Sequence, residues 1–162
     1  MPDEWVQIVD ARNRPVRAAP RALMRAQGLR YRASFIYVFN QAGHVYLQKR
    51  AATKDMYPGW FDAAAGGVLR PGERYIDNAI RETEEELGVV DAPLEALSQF
   101  YCEDGSNRVW GQLFRLIHEG PFEFVDGEVD YGEFVDSTAI LRGEWPDITP
   151  DSLYGLRLIL DE

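Results

Sequence analysis

The sequence predicts an α/β domain, because short apolar runs with high strand propensity alternate with segments of helical periodicity. Residues 35–39 form a continuous aliphatic and aromatic run, which is typical of a strand covered on both faces. Tyr75–Leu87 contains neither Gly nor Pro and precedes Gly88, which favours a helix that ends at a glycine. The length of 162 residues suits one domain with a substantial core, so we expect residues 1–162 to form a single domain.

The N-terminal region predicts a short hairpin and helix that elaborate this domain. Residues 5–10 have strand propensity, and a polar turn separates them from a short partner strand around Val16. Pro20 can begin a helix, which we expect to end before Gly28.

The remaining segments predict further strands and a C-terminal helix. We expect residues 44–50 to pair with 35–39 as a hairpin at the centre of the sheet, across a turn that contains Gly43. Two later strands are predicted at residues 97–103 and 109–117. Thr149 as N-cap and Pro150 as first residue begin the last helix.

Composition and charge exclude several classes of protein. An apolar content of 46% and a charged content of 27% are typical of globular domains, and no run approaches the roughly 20 apolar residues of a membrane span. The net charge of −10 weighs against nucleic acid polymers and anionic membranes as partners. The N-terminus lacks the pattern of a signal peptide and Cys102 is the single cysteine, so we expect a cytoplasmic protein.

The helix predicted at Tyr75–Leu87 has an unusual acidic face. Spacings of three and four residues bring Glu82, Glu85 and Glu86 together, where like charges repel. A hard divalent cation with oxygen ligands, Mg²⁺ or Mn²⁺, would compensate this repulsion. A neighbouring, mostly apolar stripe can face the core, and it consists of Ile76, Ala79, Ile80, Thr83 and Leu87.

Residues 67–89 place glycines and acids in a fixed frame. The frame consists of Gly67, Glu73 after five residues, Arg81 and Glu82 after seven more, then Glu85, Glu86, Gly88 and the apolar Val89. This frame resembles the Nudix box, which is the signature of the Nudix hydrolase family. One position departs from it, because Thr83 stands where the family has an aliphatic residue. Thr83 lies on the apolar stripe, so we expect this departure to affect packing more than chemistry.

The resemblance implies both a fold and a reaction. The fold is an α/β/α sandwich with a mixed sheet, in which the box forms a loop, a helix and a second loop. The reaction is Mg²⁺-dependent hydrolysis of a diphosphate linkage in a nucleoside diphosphate joined to another group, by water attack at phosphorus. The implied metal ligands are the main-chain oxygen of Gly67 and the carboxylates of Glu82, Glu85 and Glu86. Arg81 is implied to orient these glutamates, and Glu73 to have an accessory metal or positioning role.

Two further side chains are candidates for this small-molecule chemistry. Arg50 can reach a substrate phosphate, since a guanidinium matches phosphate oxygens, although an ordinary surface arginine is the alternative. The general base is either Glu82 or Glu128. Glu128 belongs to an acidic stretch, residues 123–136, most of which we expect to be a solvated loop.

Similarity beyond the box points to the branch of the family that includes isopentenyl-diphosphate isomerase. It extends through residues 5–10, 21–33, 47–50, Lys54 and 58–59. An isomerase is therefore one alternative, but Ala65 lies near the position of its catalytic cysteine. Gly67 and Tyr31 likewise replace its metal-binding histidines. A second alternative is a nucleotide- or sugar-sensing module without catalysis, but such modules often lose box glutamates and none is lost here.

Overall fold

The computed structural model describes residues 4–161, so residues 1–3 and 162 of the predicted domain lie outside the described residues. The strands are β1 Trp5–Val9, β2 Pro15–Pro20, β3 Arg30–Phe39, β4 Val45–Arg50, β5 Phe61–Asp62, β6 Ala65–Val68, β7 Glu95–Asp104, β8 Asn107–Ile117 and β9 Val129–Val135. The helices are α1 Arg21–Gln27, α2 Tyr75–Leu87, α3 Ser137–Leu141 and α4 Pro150–Leu160.

Strand β3 is the centre of one mixed sheet. Along one edge it pairs in parallel with β8 over its whole length, from Arg30 opposite Arg108 to Phe39 opposite Ile117. Its other edge is divided, because β1, β6 and β4 pair with successive parts of it. The side chains of β3 are buried on both faces, as the continuous apolar run predicts.

The predicted central hairpin forms only at its turn. Strands β3 and β4 pair at a single position, Phe39 opposite Val45, and then separate. Strand β4 continues between β5 and β9, while β6 takes the adjacent edge of β3. Strand β9 lies within the acidic stretch predicted to be mostly loop, because its Val129 and Val135 are buried against the body. The separation of β3 from β4 opens a space between the two parts of the sheet.

Helices cover both faces of the sheet and create two apolar clusters. Helix α2 packs on β6 and β3, where Ala79 and Leu87 join Ile36 and Phe114. Helix α4 packs on the opposite face, where Leu156 and other residues join a larger cluster. This arrangement confirms the predicted α/β class and mixed sheet. No helix among the described residues combines the length and the apolar character needed to cross a membrane.

The N-terminal hairpin and helix also form as predicted. Strands β1 and β2 pair antiparallel, and α1 follows Pro20 directly. Gly28 ends α1 in the left-handed conformation with φ 59°. This unit joins the sheet through Ile8 opposite Tyr31.

Candidate active site

Helix α2 carries the acidic cluster against the Gly-rich strand β6. The helix begins at Tyr75 and ends at Gly88, whose φ of 72° and N–H bond to the Glu84 carbonyl complete a C-cap. Its orientation differs from the simple stripe in the sequence, since Ile80 is exposed while Asn78 is buried. Asn78 donates to the carbonyl of Val68 at 3.1 Å and thereby ties α2 to β6. This rotation turns the glutamates toward the sheet.

Glu86 is the most buried of the three glutamates, with 7% of the residue exposed. The N–H of Gly66 donates to its Oε2 at 3.1 Å. Burial, followed by the negative charge of Glu82, raises the pKa of Glu86 well above its usual range. A cation beside Glu86 would stabilise its ionised form.

Glu82 lies one turn earlier, directly over the backbone of Gly67. A β-carbon at Gly67 would come within 2.5 Å of the Glu82 carboxyl, so only glycine allows this approach. Burial raises the pKa of Glu82 to about 7, with Arg81 opposing the shift and Glu85 adding to it. The structure therefore brings together Gly67, Glu82 and Glu86, which the resemblance to the Nudix box grouped as candidate ligands.

Asp126 joins this group from a distant part of the chain. One carboxylate oxygen each from Glu82, Glu85 and Asp126 lie within 4.8 Å of one another. The sequence interpretation chose Glu128 from the acidic stretch and did not single out Asp126. The only signal in the sequence is the closeness of these two acids, and the N–H of Glu128 donates to Asp126 at 3.0 Å. The pKa of Asp126 is raised, chiefly by burial.

Arg81 links the loop before the helix to the acidic cluster. It donates from Nε to Glu73 at 3.2 Å and from Nη2 to the same carboxylate at 3.0 Å. Its Nη1 donates to Glu82 at 3.0 Å and reaches Glu85 at 3.5 Å. Burial works to raise the pKa of Glu73, but hydrogen bonds led by Arg81 outweigh it and the pKa is lowered. The contacts of Glu73 are thus those of a residue that positions Arg81.

Glu128 and Glu86 line one cleft between β4 and β6, and Glu128 is the more exposed of the two. Its carboxylate forms an ion pair with Lys54, and half of its side chain is exposed. Its carbonyl also accepts from the N–H of Ala51 at 3.0 Å. The ion pair therefore joins the segment after β4 to the acidic stretch before β9.

Arg50 lines the cleft, but its donors already have partners in the protein. Nη1 forms an ion pair with Asp62 at 2.5 Å, and Nε and Nη2 donate to the carbonyl of Met56 at 3.0 and 2.8 Å. Asp62 in turn accepts from the hydroxyl of Thr149. Substrate phosphate would have to compete with these contacts to take the guanidinium.

The cleft between β4, β6 and the first turn of α4 is lined by Gly67, Glu86, Glu128 and Arg50. Its volume is about 780 Å³ when the solvent space at its mouth is included. Its wall also contains Gln48, which the sequence interpretation placed on a strand without assigning a role. Other polar side chains that line it include Tyr31, Ser34, Asn107, Asp151 and Ser152.

The fold and the site together define a class of protein, an α/β enzyme with an oxygen-rich acidic centre beside a polar cleft. Residues 29–119 match the NUDIX domain. The chain belongs to the Nudix hydrolase family, whose members act on acid anhydrides, as the box resemblance predicted.

Relatives and solved structures agree with this membership. A Yersinia pestis protein described as an uncharacterized Nudix hydrolase is 43% identical over 157 residues, which cover 97% of this chain and 86% of the relative. The Nudix hydrolase YfcD of Escherichia coli strain K12, also described as uncharacterized, is 43% identical over 155 residues, covering 96% and 86%.

Two solved structures show the same fold at low sequence identity. The crystal structure of DR0079 from Deinococcus radiodurans is similar with a TM-score of 0.82 and 20% identity, covering 95% of this chain and 98% of that one. The NUDIX domain of Shewanella oneidensis NrtR, solved in complex with ADP ribose, has a TM-score of 0.67 and 15% identity, covering 82% and 87%.

Proposed function

We propose that this enzyme hydrolyses a diphosphate linkage in a nucleoside diphosphate joined to another group, with Mg²⁺ as the cofactor and Mn²⁺ as a substitute. The observation that carries the proposal is the approach of carboxylate oxygens from Glu82, Glu85 and Asp126 to within 4.8 Å of one another. Ionised carboxylates accept without donating, and this is the donor set that hard divalent cations prefer.

The proposed ligands are the carbonyl of Gly67 and the carboxylates of Glu82, Glu85 and Glu86, with Asp126 as an addition from the structure. The chemistry of a bound cation in such a site is Lewis acidity, which lowers the pKa of a coordinated water and offsets phosphate charge. Because the net charge of the chain is −10, recruiting an anionic substrate depends on such local compensation.

The polypeptide's own part in the reaction is to hold these oxygens and to accept a proton. Arg81, fixed by Glu73, holds Glu82 in place, and the Gly66 N–H holds Glu86. Glu82 or Glu128 takes the proton from the attacking water. Glu82 is partly buried and held by Arg81, whereas Glu128 is half exposed and held by Lys54.

Arg50 remains the proposed contact for a substrate phosphate, which would replace the Met56 carbonyl as the partner of its guanidinium.

We propose further that residues 1–162 act as one domain in the cytoplasm. The support for one domain is that all strands among the described residues belong to a single sheet. The support for the cytoplasm is the single cysteine in the sequence.

The test is a panel of nucleoside diphosphates and triphosphates, dinucleotide cofactors, nucleotide sugars and isopentenyl diphosphate, each incubated with Mg²⁺ or with EDTA. We expect phosphate-containing products from at least one nucleoside diphosphate derivative, formed with Mg²⁺ and abolished by EDTA. Binding without any turnover would favour a sensing module instead. Formation of dimethylallyl diphosphate from isopentenyl diphosphate would favour an isomerase.

A further inference from the structure

Gln48 of β4 is a buried polar side chain that the proposed chemistry leaves unused. Only 2% of the residue is exposed, and it lines the cleft beside the acidic centre. Neither its amide nitrogen nor its amide oxygen has a hydrogen-bond partner among the described residues. A buried polar group without a partner destabilises a fold. The unpaired amide of Gln48 therefore points to a partner outside the polypeptide.

Two neighbours on the same face of β4 flank Gln48. The side chains of Tyr46, Gln48 and Arg50 lie on the same face of β4, because every second residue of a strand shares a face. On one side the Tyr46 ring fills the space over Gly132, where a β-carbon would come within 2.5 Å of that ring. On the other side Arg50 is engaged by Asp62. Neither neighbour provides the amide with a hydrogen bond.

The chemistry of an amide restricts what can satisfy it. A carboxamide presents a donor and an acceptor side by side, whereas an ionised phosphate only accepts. A phosphate would therefore leave the amide oxygen unpaired. A hydroxyl group both donates and accepts, so adjacent hydroxyls of a sugar can satisfy both atoms.

The wall around Gln48 fits hydroxyls better than further phosphate. It contains the carboxylates of Asp62 and Asp151, which can accept hydrogen bonds from hydroxyls, as acidic residues do from ribose in dinucleotide sites. Its cationic side chains already form ion pairs within the protein, namely Arg50 with Asp62, Lys54 with Glu128, and Arg21 and Arg25 with Asp55. The hydroxyls of Thr149 and Ser152 belong to the same wall but bond within the protein, Thr149 to Asp62 and Ser152 to the Thr149 carbonyl. Asp62 lies opposite Gln48 in the pairing of β5 with β4.

We propose that Gln48 is a specificity-determining residue, which hydrogen-bonds the hydroxyl groups of a sugar, of the ribose type, adjacent to the substrate diphosphate. This inference rests on the proposed function, because it takes the diphosphate to lie at the acidic centre. A substrate without hydroxyls leaves the amide buried and unpaired, and such mismatches reduce binding strongly.

The experiment compares ADP-ribose, which carries ribose hydroxyls, with isopentenyl diphosphate, which carries none. The variants are Gln48→Leu and Gln48→Met, which both remove the two polar atoms, so that one serves if the other fails to fold. Gln27→Leu makes the same chemical change at an exposed position of α1 and is the matched control. Calorimetry gives the Kd of each probe with Mg²⁺ and with EDTA, and initial rates with Mg²⁺ give kcat/KM.

We expect the unchanged protein to bind ADP-ribose at least about 100-fold more tightly than isopentenyl diphosphate. Both Gln48 variants should reduce this preference at least about tenfold, while Gln27→Leu leaves it unchanged. In EDTA without either probe, the Gln48 variants should melt about 2 °C or more above the unchanged protein, since two unpaired buried atoms are removed.

Several results would overturn the inference. These are a preference that survives in both Gln48 variants, binding of neither probe by the unchanged protein, and a Tm in EDTA that is unchanged or lower in both variants. The two proposals fail separately. Binding of ADP-ribose without Mg²⁺-dependent cleavage contradicts the hydrolysis but not the hydroxyl contact, whereas cleavage of isopentenyl diphosphate with no preference for ADP-ribose contradicts only the contact.

Discussion

Replacement of Glu86 by glutamine should make the metal-free protein more stable while it abolishes function. Glu86 is 7% exposed, and the hydrogen bond that it accepts from the Gly66 N–H can pass to the amide oxygen of a glutamine of the same size. The substitution therefore removes a buried carboxylate without opening a cavity. Correcting an uncompensated buried charge is worth about 1–3 kcal/mol, which corresponds to roughly 2–4 °C in Tm per kcal/mol at this chain length.

The stability gain should depend on pH in a defined direction. The pKa of Glu86 is raised above the ordinary 4.5, so the native carboxyl binds its proton more tightly than the unfolded one does. The cost of this carboxyl to the native state is therefore absent below about pH 4.5 and grows as pH rises above it. The advantage of Glu86→Gln should follow the same course, and be larger at pH 8 than at pH 4.5.

Added Mg²⁺ should reverse the order of stability. A cation at about 100 times its Kd stabilises the unchanged protein by about 2.7 kcal/mol, and Glu86→Gln should lose most of this gain. Hydrolytic activity should fall by at least about 100-fold, because a proposed ligand is lost. The matched control is Glu84→Gln, which changes the neighbouring acidic run at an exposed position of the same helix.

Differential scanning fluorimetry in EDTA and in Mg²⁺, at pH 4.5 and pH 8, together with initial rates, measures these effects. The reasoning is refuted if Glu86→Gln melts below the unchanged protein in EDTA at pH 8. It is refuted equally if Mg²⁺ raises the Tm of both proteins by the same amount. A Glu84→Gln variant that behaves like Glu86→Gln would show that the effect belongs to overall charge rather than to the buried position.

Three further substitutions test other parts of the structure. Gly67→Ala places a β-carbon 2.5 Å from the Glu82 carboxyl, so calorimetry should show weaker Mg²⁺ binding by about tenfold or more; unchanged affinity would contradict this. Gly155→Ala places one 2.2 Å from the Tyr37 hydroxyl, so urea unfolding should show a loss of about 1–3 kcal/mol. Asp151→Asn tests a carboxyl whose pKa burial raises from 3.8 to about 6. Since the native state holds that proton more tightly than the unfolded state does, ionisation of this carboxyl lowers the free energy of unfolding as pH rises from about 4 to about 6. Asp151→Asn lacks this ionisation, so its free energy of unfolding relative to the unchanged protein should rise over that range by up to about 3 kcal/mol. A Tm difference independent of pH would disprove this assignment.

Local signals in the sequence were sufficient for the helix at the centre of the site. The absence of Gly and Pro between Tyr75 and Leu87 and the glycine that follows predicted both ends of α2. The spacing of Glu82, Glu85 and Glu86 likewise predicted one acidic face, because a helix fixes distances between residues of neighbouring turns. The place of Gly67 beside them was implied by the resemblance to the Nudix box. Thr83 is buried as expected, with its hydroxyl donating to the Ala79 carbonyl at 2.7 Å.

Contacts between site residues that lie far apart in the chain were not predicted. Asp126 joins Glu82 and Glu85 from a stretch that carries several acids, and nothing local distinguishes it from Glu128. The partial hairpin is a similar case, since apolar patterns predict strands but not which edge each strand shares. Arg50 shows a third limit, because its guanidinium binds Asp62 of β5, a two-residue strand for which we made no prediction.

The sequence by itself determined the family, the acidic helix and the frame of the candidate metal ligands, because these depend on spacing along one continuous segment. The tertiary structure alone decided the rotation of α2, which buries Glu86 and exposes Ile80. It also decided the separation of β4 from β3 that opens the cleft, and it buries Gln48 without a hydrogen-bond partner among residues 4–161. Burial and strand pairing are properties of packed surfaces, and they arise only when segments far apart in the chain meet.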